Sequence, residues 1–232
     1  MSTAAPILWL PGLLCDAAVW TPLALPGTIV DYGDARSITR MAEIALDAAP
    51  PGRFALAGHS MGGRVALEVL RLAPERVDRV ALLDTGAHPL AAGDAGAKER
   101  EGRLRLLDIA RRDGMRAMAA EWARGMVHPS RIGSPVFTAI LDMFERKTPA
   151  IFEAQIEALL GRPDAGPQLP HIRCPALLLT GSHDAWAPAA QHQAMADAMP
   201  DARLVVVPDC GHMSPMEAPA SVRAALDDWL AL

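Results

Sequence analysis

Cysteine is scarce in this sequence. The three present, Cys15, Cys174 and Cys210, are odd in number and far apart, which argues against a disulfide framework and for a reducing compartment, so a cytoplasmic address is expected. A basic excess is also lacking. With 22 Lys and Arg against 27 Asp and Glu, a formal net charge of -5, no surface able to grip a polyanion is expected, and nucleic acid is excluded as a partner. No uninterrupted apolar stretch reaches the roughly 18 residues needed to cross a bilayer, so no membrane span is expected. The apolar start, MSTAAPILWLPGLLCDAAVW, does not read as a leader either. No Lys or Arg precedes its run, Pro6 and Pro11 interrupt it, and Leu14 stands where a lipoprotein signal needs a small residue before Cys15. Metal motifs are missing too: seven histidines are present, yet no His-x-x-x-His, Cys-x-x-Cys or carboxylate-histidine cluster occurs at ligand spacing, so neither a metal nor a cofactor is expected.

What is present is apolar material enough for one compact core. At 232 residues and 51% hydrophobic composition, the chain can form one domain, or one domain with an insertion. Short apolar runs at Ile7 to Leu10, Thr28 to Tyr32, Phe54 to Ala57 and Arg79 to Leu83 alternate with helical patterns, the rhythm of a parallel sheet with helical crossovers. Ser37 caps the first helix, which runs to Ala49, and Pro74 stops the second. The rhythm breaks at Gly86 and resumes at Pro175. Between them lie helical segments near Lys98 to Arg112, Met115 to Met126, Ser134 to Arg146 and Pro149 to Leu160. A core from 1–85 and 170–232, with a helical insertion at 86–169, is therefore expected. A strand at Ala176 to Thr180, a helix at Ala189 to Met199, a strand at Leu204 to Val207 and a closing helix from Pro215 to Leu230 complete the core.

The most specific stretch is FALAGHSMGGRVALEVL, residues 54–70. Gly58-His59-Ser60-Met61-Gly62 fits Gly-x-Ser-x-Gly, with a strand before it and a helix after it. A turn that sharp leaves no room for side chains at Gly58 and Gly62 and thrusts the Ser60 hydroxyl outward as a nucleophile. The competing reading, a serine that merely caps the next helix, is disfavoured by that context. A serine hydroxyl is a weak nucleophile at neutral pH and needs a base and a group that orients the base. His212, in Cys210-Gly211-His212-Met213 after the last strand, supplies the ring; Asp184, in Gly181-Ser182-His183-Asp184 after the preceding strand, supplies the carboxylate. Asp84, at the end of the Arg79 to Leu83 run, is the rival acid, and loop position favours Asp184. Asp16 reads as a helix start, Cys210 as a buried small residue, and His59 as an elbow residue that packs or hydrogen-bonds beside the nucleophile. His88, His128, His171, His183 and His192 read as loop or helix-end residues. Arg64, one turn beyond Ser60, either pairs with a surface acid or points its charge into the site, and the first is favoured.

With LPGLLCD, GHSMGGR, LLDTGA, LLLTGSHDAWAP and VPDCGHMSPMEAP, the chain resembles a small alpha/beta-hydrolase-fold enzyme over essentially its whole length. The resemblance implies an α/β fold with a mostly parallel sheet, helices on both faces and an inserted helical cap. That family's sheet usually has eight strands; here the two leading strands are expected to be missing, leaving about six. It also implies the order Ser60, Asp184, His212 for nucleophile, acid and base. The backbone N–H groups of Leu13 and Met61 would form the oxyanion hole, with Leu14 as the fallback if the loop is shifted and Pro11 in place of the histidine that many relatives carry. The insertion would cover the strand ends as a lid, contributing Trp122, Met126, Phe137, Met143, Phe144 and Phe152, only some of which can face a substrate. Trp122, Phe144 and Trp186, with His59 and Arg64, are the substrate-binding candidates. An apolar pocket with few polar anchors suits a small uncharged carboxylic ester, thioester or lactone, cleaved through an acyl-enzyme. Two other classes compete. Ser60-Met61-Gly62-Gly63-Arg64 resembles the menaquinone-pathway synthase that eliminates pyruvate, in which Arg64 and a lid arginine such as Arg124 would hold a carboxylate; the other is a ligand-binding relative with little turnover.

Overall fold

The computed structural model describes residues 5–232. Six strands form one sheet: β1 (Ile7–Leu10), β2 (Thr28–Ile29), β3 (Phe54–His59), β4 (Val77–Leu83), β5 (Ala176–Gly181) and β6 (Ala202–Val207). Their spatial order is β2-β1-β3-β4-β5-β6 and every pairing is parallel. A parallel pair cannot close through a hairpin, so helices α1 (Ile38–Ala48), α2 (Met61–Leu72) and α7 (Ala189–Ala198) carry the crossovers. Helices on the sheet faces explain why β1, β3 and β5 are buried at every position and read as continuous apolar or small runs.

The expected strand from Thr28 to Tyr32 is shorter than its apolar character suggests. The strand is confined to Thr28–Ile29, and after the Val30 amide bonds the Trp9 carbonyl at 3.0 Å the chain leaves the sheet, because Asp31 accepts a hydrogen bond from the Gly33 amide at 3.0 Å and Gly33 adopts φ 55. Ser37 does cap α1, accepting from the Arg40 amide at 3.1 Å, and the Asp16 side chain caps the short 3-10 turn Ala17–Val19. The closing helix is two pieces, α8 (Ser214–Glu217) and α9 (Pro219–Leu230), since Pro219 has no N–H to continue the first and holds Ala218 out of the helical region.

Between β4 and β5 the chain forms α3 (Asp94–Asp113), α4 (Met115–Trp122), α5 (Pro135–Glu145) and α6 (Pro149–Leu160), with no strand among the described residues. Ser134 and Thr148 cap α5 and α6 through hydrogen bonds from Phe137 and Ile151, and a proline opens each helix. No helix among the described residues is long and apolar enough to cross a membrane.

Helix α2 approaches β1 closely at Gly62, where a β-carbon would overlap the Leu10 carbonyl oxygen. Gly102, by contrast, lies within α3 with open space around its Cα. Gly62→Ala is therefore expected to lower unfolding free energy by about 2–4 kcal/mol through overpacking. Gly102→Ala is expected to raise it by roughly 0.5–1 kcal/mol. Urea melts of the two variants check both signs.

Candidate active site

Ser60 sits at the junction of β3 and α2 with φ 53 and ψ -116, a conformation that β-carbon-bearing residues rarely hold. Its amide donates to the Leu83 carbonyl at 2.9 Å, and its own carbonyl accepts from the Gly63 amide at 3.0 Å and the Thr85 hydroxyl at 2.7 Å. The side chain makes no capping bond to α2, so the reading of Ser60 as a helix cap fails. Freed from the helix, Oγ faces a cavity.

His212, expected to reach back over the strand ends, does so. Its Nε2 lies 2.8 Å from Ser60 Oγ and its Nδ1 lies 2.8 Å from Asp184 Oδ2. A carboxylate only accepts, so Nδ1 carries the proton and Nε2 presents a lone pair to the serine hydroxyl, which donates. The other Asp184 oxygen accepts from the amides of Trp186 and Ala187, both at 2.9 Å. Burial alone would raise the Asp184 carboxyl; the His212 ring and these two amides outweigh it and hold the group below the usual aspartate value. The loop bearing His212 is pinned by a residue within VPDCGHMSPMEAP to which the sequence assigned no role. Buried Glu217 accepts from the amides of Gly211 and Met213, each at 3.1 Å, and from that of His128 at 2.7 Å.

Asp84, the rival acid, makes no hydrogen bond to the His212 ring. It is fully buried behind the site, accepting from the Gly181 amide at 3.2 Å and lying 2.6 Å from Ser214 Oγ. Burial, reinforced by the nearby Asp184 charge, pushes its carboxyl well above the usual range. His59 is buried as well, and its Nε2 donates to the His212 carbonyl at 2.8 Å. Burial pushes the His59 ring down to about 3, so it is neutral at physiological pH. His192, read from the sequence as a loop or helix-end residue, is instead buried within α7, where its Nε2 accepts from the Thr85 amide at 3.2 Å.

The loop after β1 places the amides of Leu13 and Leu14 in different surroundings. The Leu14 amide donates to the buried Gln155 side chain of α6 at 2.8 Å and is therefore occupied. The Leu13 amide has no acceptor among the described residues, and Met61 opens α2, so its amide has no partner within the helix.

Residues 7–225 match the sequence model described as "Alpha/beta hydrolase family". The chain belongs to that family. It is 28% identical over 195 residues to a pimeloyl-[acyl-carrier protein] methyl ester esterase of Nitrosomonas europaea, covering 82% of this chain and 76% of the relative. A thermophilic esterase from Thermogutta terrifontis superposes with a TM-score of 0.84 at 28% identity, over 99% of this chain and 90% of that one. An enol-lactonase from Burkholderia xenovorans LB400 gives a TM-score of 0.84 at 25% identity, over 100% of this chain and 93% of that one.

In this alpha/beta hydrolase a cavity of about 120 Å³ opens over Ser60 and His212, lined by Leu13, Trp122, Met126 and Trp186 among others. Trp186 stacks on Trp122 at 5.6 Å between ring centroids and lies 5.0 Å from the His212 ring. His59 also lines it, whereas Phe144 does not: that ring is fully buried behind Trp122, at 5.3 Å, in the packing between helices. The wall is less apolar than the sequence suggests, because Arg64 and Arg103 both reach it. Arg64 has no carboxylate partner among the described residues, contrary to the favoured surface pairing; its Nη1 donates to the His88 carbonyl at 2.7 Å. Burial, together with Arg162 and Arg103 nearby, pushes it down to about 9. The lid arginine singled out from the sequence, Arg124, is exposed and off the wall. Arg103 takes that place, and nothing in the run KEREGRLR marks it out from its neighbours.

Asp84 gives a test of the buried charge balance. Its carboxyl is raised on folding, so the stability it contributes is present below the unfolded aspartate value and is lost as pH rises toward the folded one. The stability of wild type relative to Asp84→Asn should therefore fall as pH rises above the unfolded aspartate value of about 4, measured by urea melts at matched ionic strength.

Proposed function

We propose that the protein is a serine hydrolase of small carboxylic esters, thioesters or lactones, acting through an acyl-enzyme on Ser60. The observation that carries this reading is the ring of His212 bridging Ser60 Oγ and Asp184 Oδ2 at 2.8 Å on each side. Ser60 attacks the carbonyl carbon while Nε2 of His212 takes the hydroxyl proton, and Asp184 stabilises the imidazolium that forms. The amides of Leu13 and Met61 receive the developing negative charge, so the oxyanion is bound by fixed dipoles that need no rearrangement. The protonated ring then delivers its proton to the leaving alcohol, thiol or lactone oxygen. Water then takes the place vacated by the leaving group, gives its proton to His212 Nε2 and attacks the acyl carbon, and the ring returns that proton to Ser60 Oγ as the acid departs. Helices α3 to α6 act as a cap over the strand ends, and three free cysteines fit a cytoplasmic enzyme.

The arginines refine the substrate. Two guanidinium groups on the wall of one small cavity favour a substrate with a negative charge near the scissile bond over the uncharged ester that an apolar pocket would suit. The same pair supports a second reading, in which the Ser60, His212 and Asp184 set acts as a base for elimination while Arg64 holds a carboxylate. Covalent trapping separates the two, since only acyl transfer leaves an ester on Ser60.

A p-nitrophenyl ester series should show turnover that Ser60→Ala reduces on the order of a millionfold and Asp184→Asn by about ten-thousandfold in kcat. Mass spectrometry of the quenched wild type should find the acyl group on Ser60, and its absence with turnover intact would overturn the mechanism. Arg64→Gln should raise KM roughly 10- to 100-fold for a monoester of a short dicarboxylic acid while leaving the matching neutral ester within about twofold.

A further inference from the structure

The fold gathers a second set of chemistry-bearing side chains that sequence spacing conceals. His128 lies in the connection between α4 and α5, His183 immediately precedes Asp184, and Asp209 lies three residues before His212 at φ 51. One potential ligand atom from each falls within 4.8 Å of the other two, and the two imidazole rings meet edge to face at 4.4 Å between centroids. We propose that these three residues form a binding site for a divalent transition metal of the zinc class.

Three features favour that ligand. The donor set of two imidazoles and one carboxylate suits zinc, cobalt or nickel, whereas calcium and magnesium seek oxygen shells. Each ring is also oriented through its other nitrogen: His128 Nδ1 lies 2.8 Å from Ser130 Oγ, and His183 Nδ1 lies 2.9 Å from Ser182 Oγ. The Ser130 amide also points at His128 Nδ1, at a longer 3.3 Å. At His183 a serine oxygen accepting from Nδ1–H leaves Nε2 as a lone pair, the arrangement by which outer partners fix a metal-ligating histidine, whereas His128 Nδ1 accepts from the Ser130 amide and its Nε2 would give up a proton to an incoming ion. Neither Nε2 has a hydrogen bond among the described residues. Finally, the ligands are at the surface, His183 and Asp209 exposed and His128 half-buried, so an ion can enter and water can fill a fourth position.

The site is structural in its consequence. None of its three residues lines the cavity over Ser60. The segment around His128 already touches the His212 loop, the Met126 carbonyl accepting from the His212 amide and the His128 amide donating to Glu217. A bound ion would extend that clasp to the loop holding Asp184. It would thus tie the helical insertion to both loops that flank Ser60, independently of which reaction they serve.

The test uses tag-free, chelator-treated protein with zinc, cobalt and magnesium chlorides as probes. Zinc should raise the thermal midpoint by about 5 °C, saturating at one equivalent, and magnesium should not. One equivalent of cobalt should give the intense visible bands of a tetrahedral site. His183→Ala and Asp209→Asn, at exposed positions, should keep the metal-free midpoint within about 1 °C and lose the zinc shift. No saturable shift in the wild type, or a shift of equal size in a His128→Ala, His183→Ala double variant, would overturn the proposal.

Discussion

A serine held at φ 53 has to be kept there by its surroundings, since the conformation costs on the order of 1–3 kcal/mol. Here the constraint is shared among three strands. The Ser60 amide is tied to β4 through Leu83, its carbonyl is tied to Thr85 just past the end of β4, and α2 is pressed against β1 at Gly62. The parallel registers of β1, β3 and β4 therefore set where the hydroxyl points. Remove the close approach at Gly62 and the helix must lift, taking with it the Met61 amide and the angle of the Ser60 hydroxyl.

The partners of Ser60 are held by a different kind of force. The loops carrying Asp184 and His212 are buried through Ala187, Cys210, Met213 and Met216, and buried carboxylates organise their backbone by accepting its amides. Asp84 joins Gly181 to Ser214, Asp184 collects Trp186 and Ala187, and Glu217 gathers Gly211, Met213 and His128. In a low-dielectric interior such bonds are strong when complete, and an orphaned acid is expensive, so each loop is defined by the acid it satisfies. The Asp184 charge opposes ionisation of Asp84, which faces only the buried His59 ring at 3.5 Å, whereas Asp184 is hydrogen-bonded to the ring of His212.

Net charge gives a poor guide to the mouth of the cavity. The protein is acidic as a whole, yet Arg64, Lys98, Arg103, Arg105 and Arg162 line a groove beside the active-site cavity, facing only Glu99 and Glu121. Glu99 is shared by Arg103 and Arg162, and its carboxyl is held down to about 2 although burial opposes this, because both guanidiniums contact it. The local field is consequently positive within a negative molecule, which draws anions toward Ser60.

The sequence determined the α/β architecture and singled out Ser60, Asp184 and His212, the set proposed for catalysis, because each lies beside a strand end announced by its own apolar run and turn residues. It also narrowed the oxyanion loop to Leu13 or Leu14. Local patterning could do no more, since it reports what a residue does to its neighbours along the chain. Whether Leu14 spends its amide on Gln155, whether Phe144 faces the cavity or the packing behind Trp122, and whether Arg64 meets an acid depend on segments far away in the chain. The same holds for Arg103 at the cavity wall and for His128, His183 and Asp209 meeting at the surface. Those decisions belong to tertiary structure because they are made by partners that only folding brings within bonding distance.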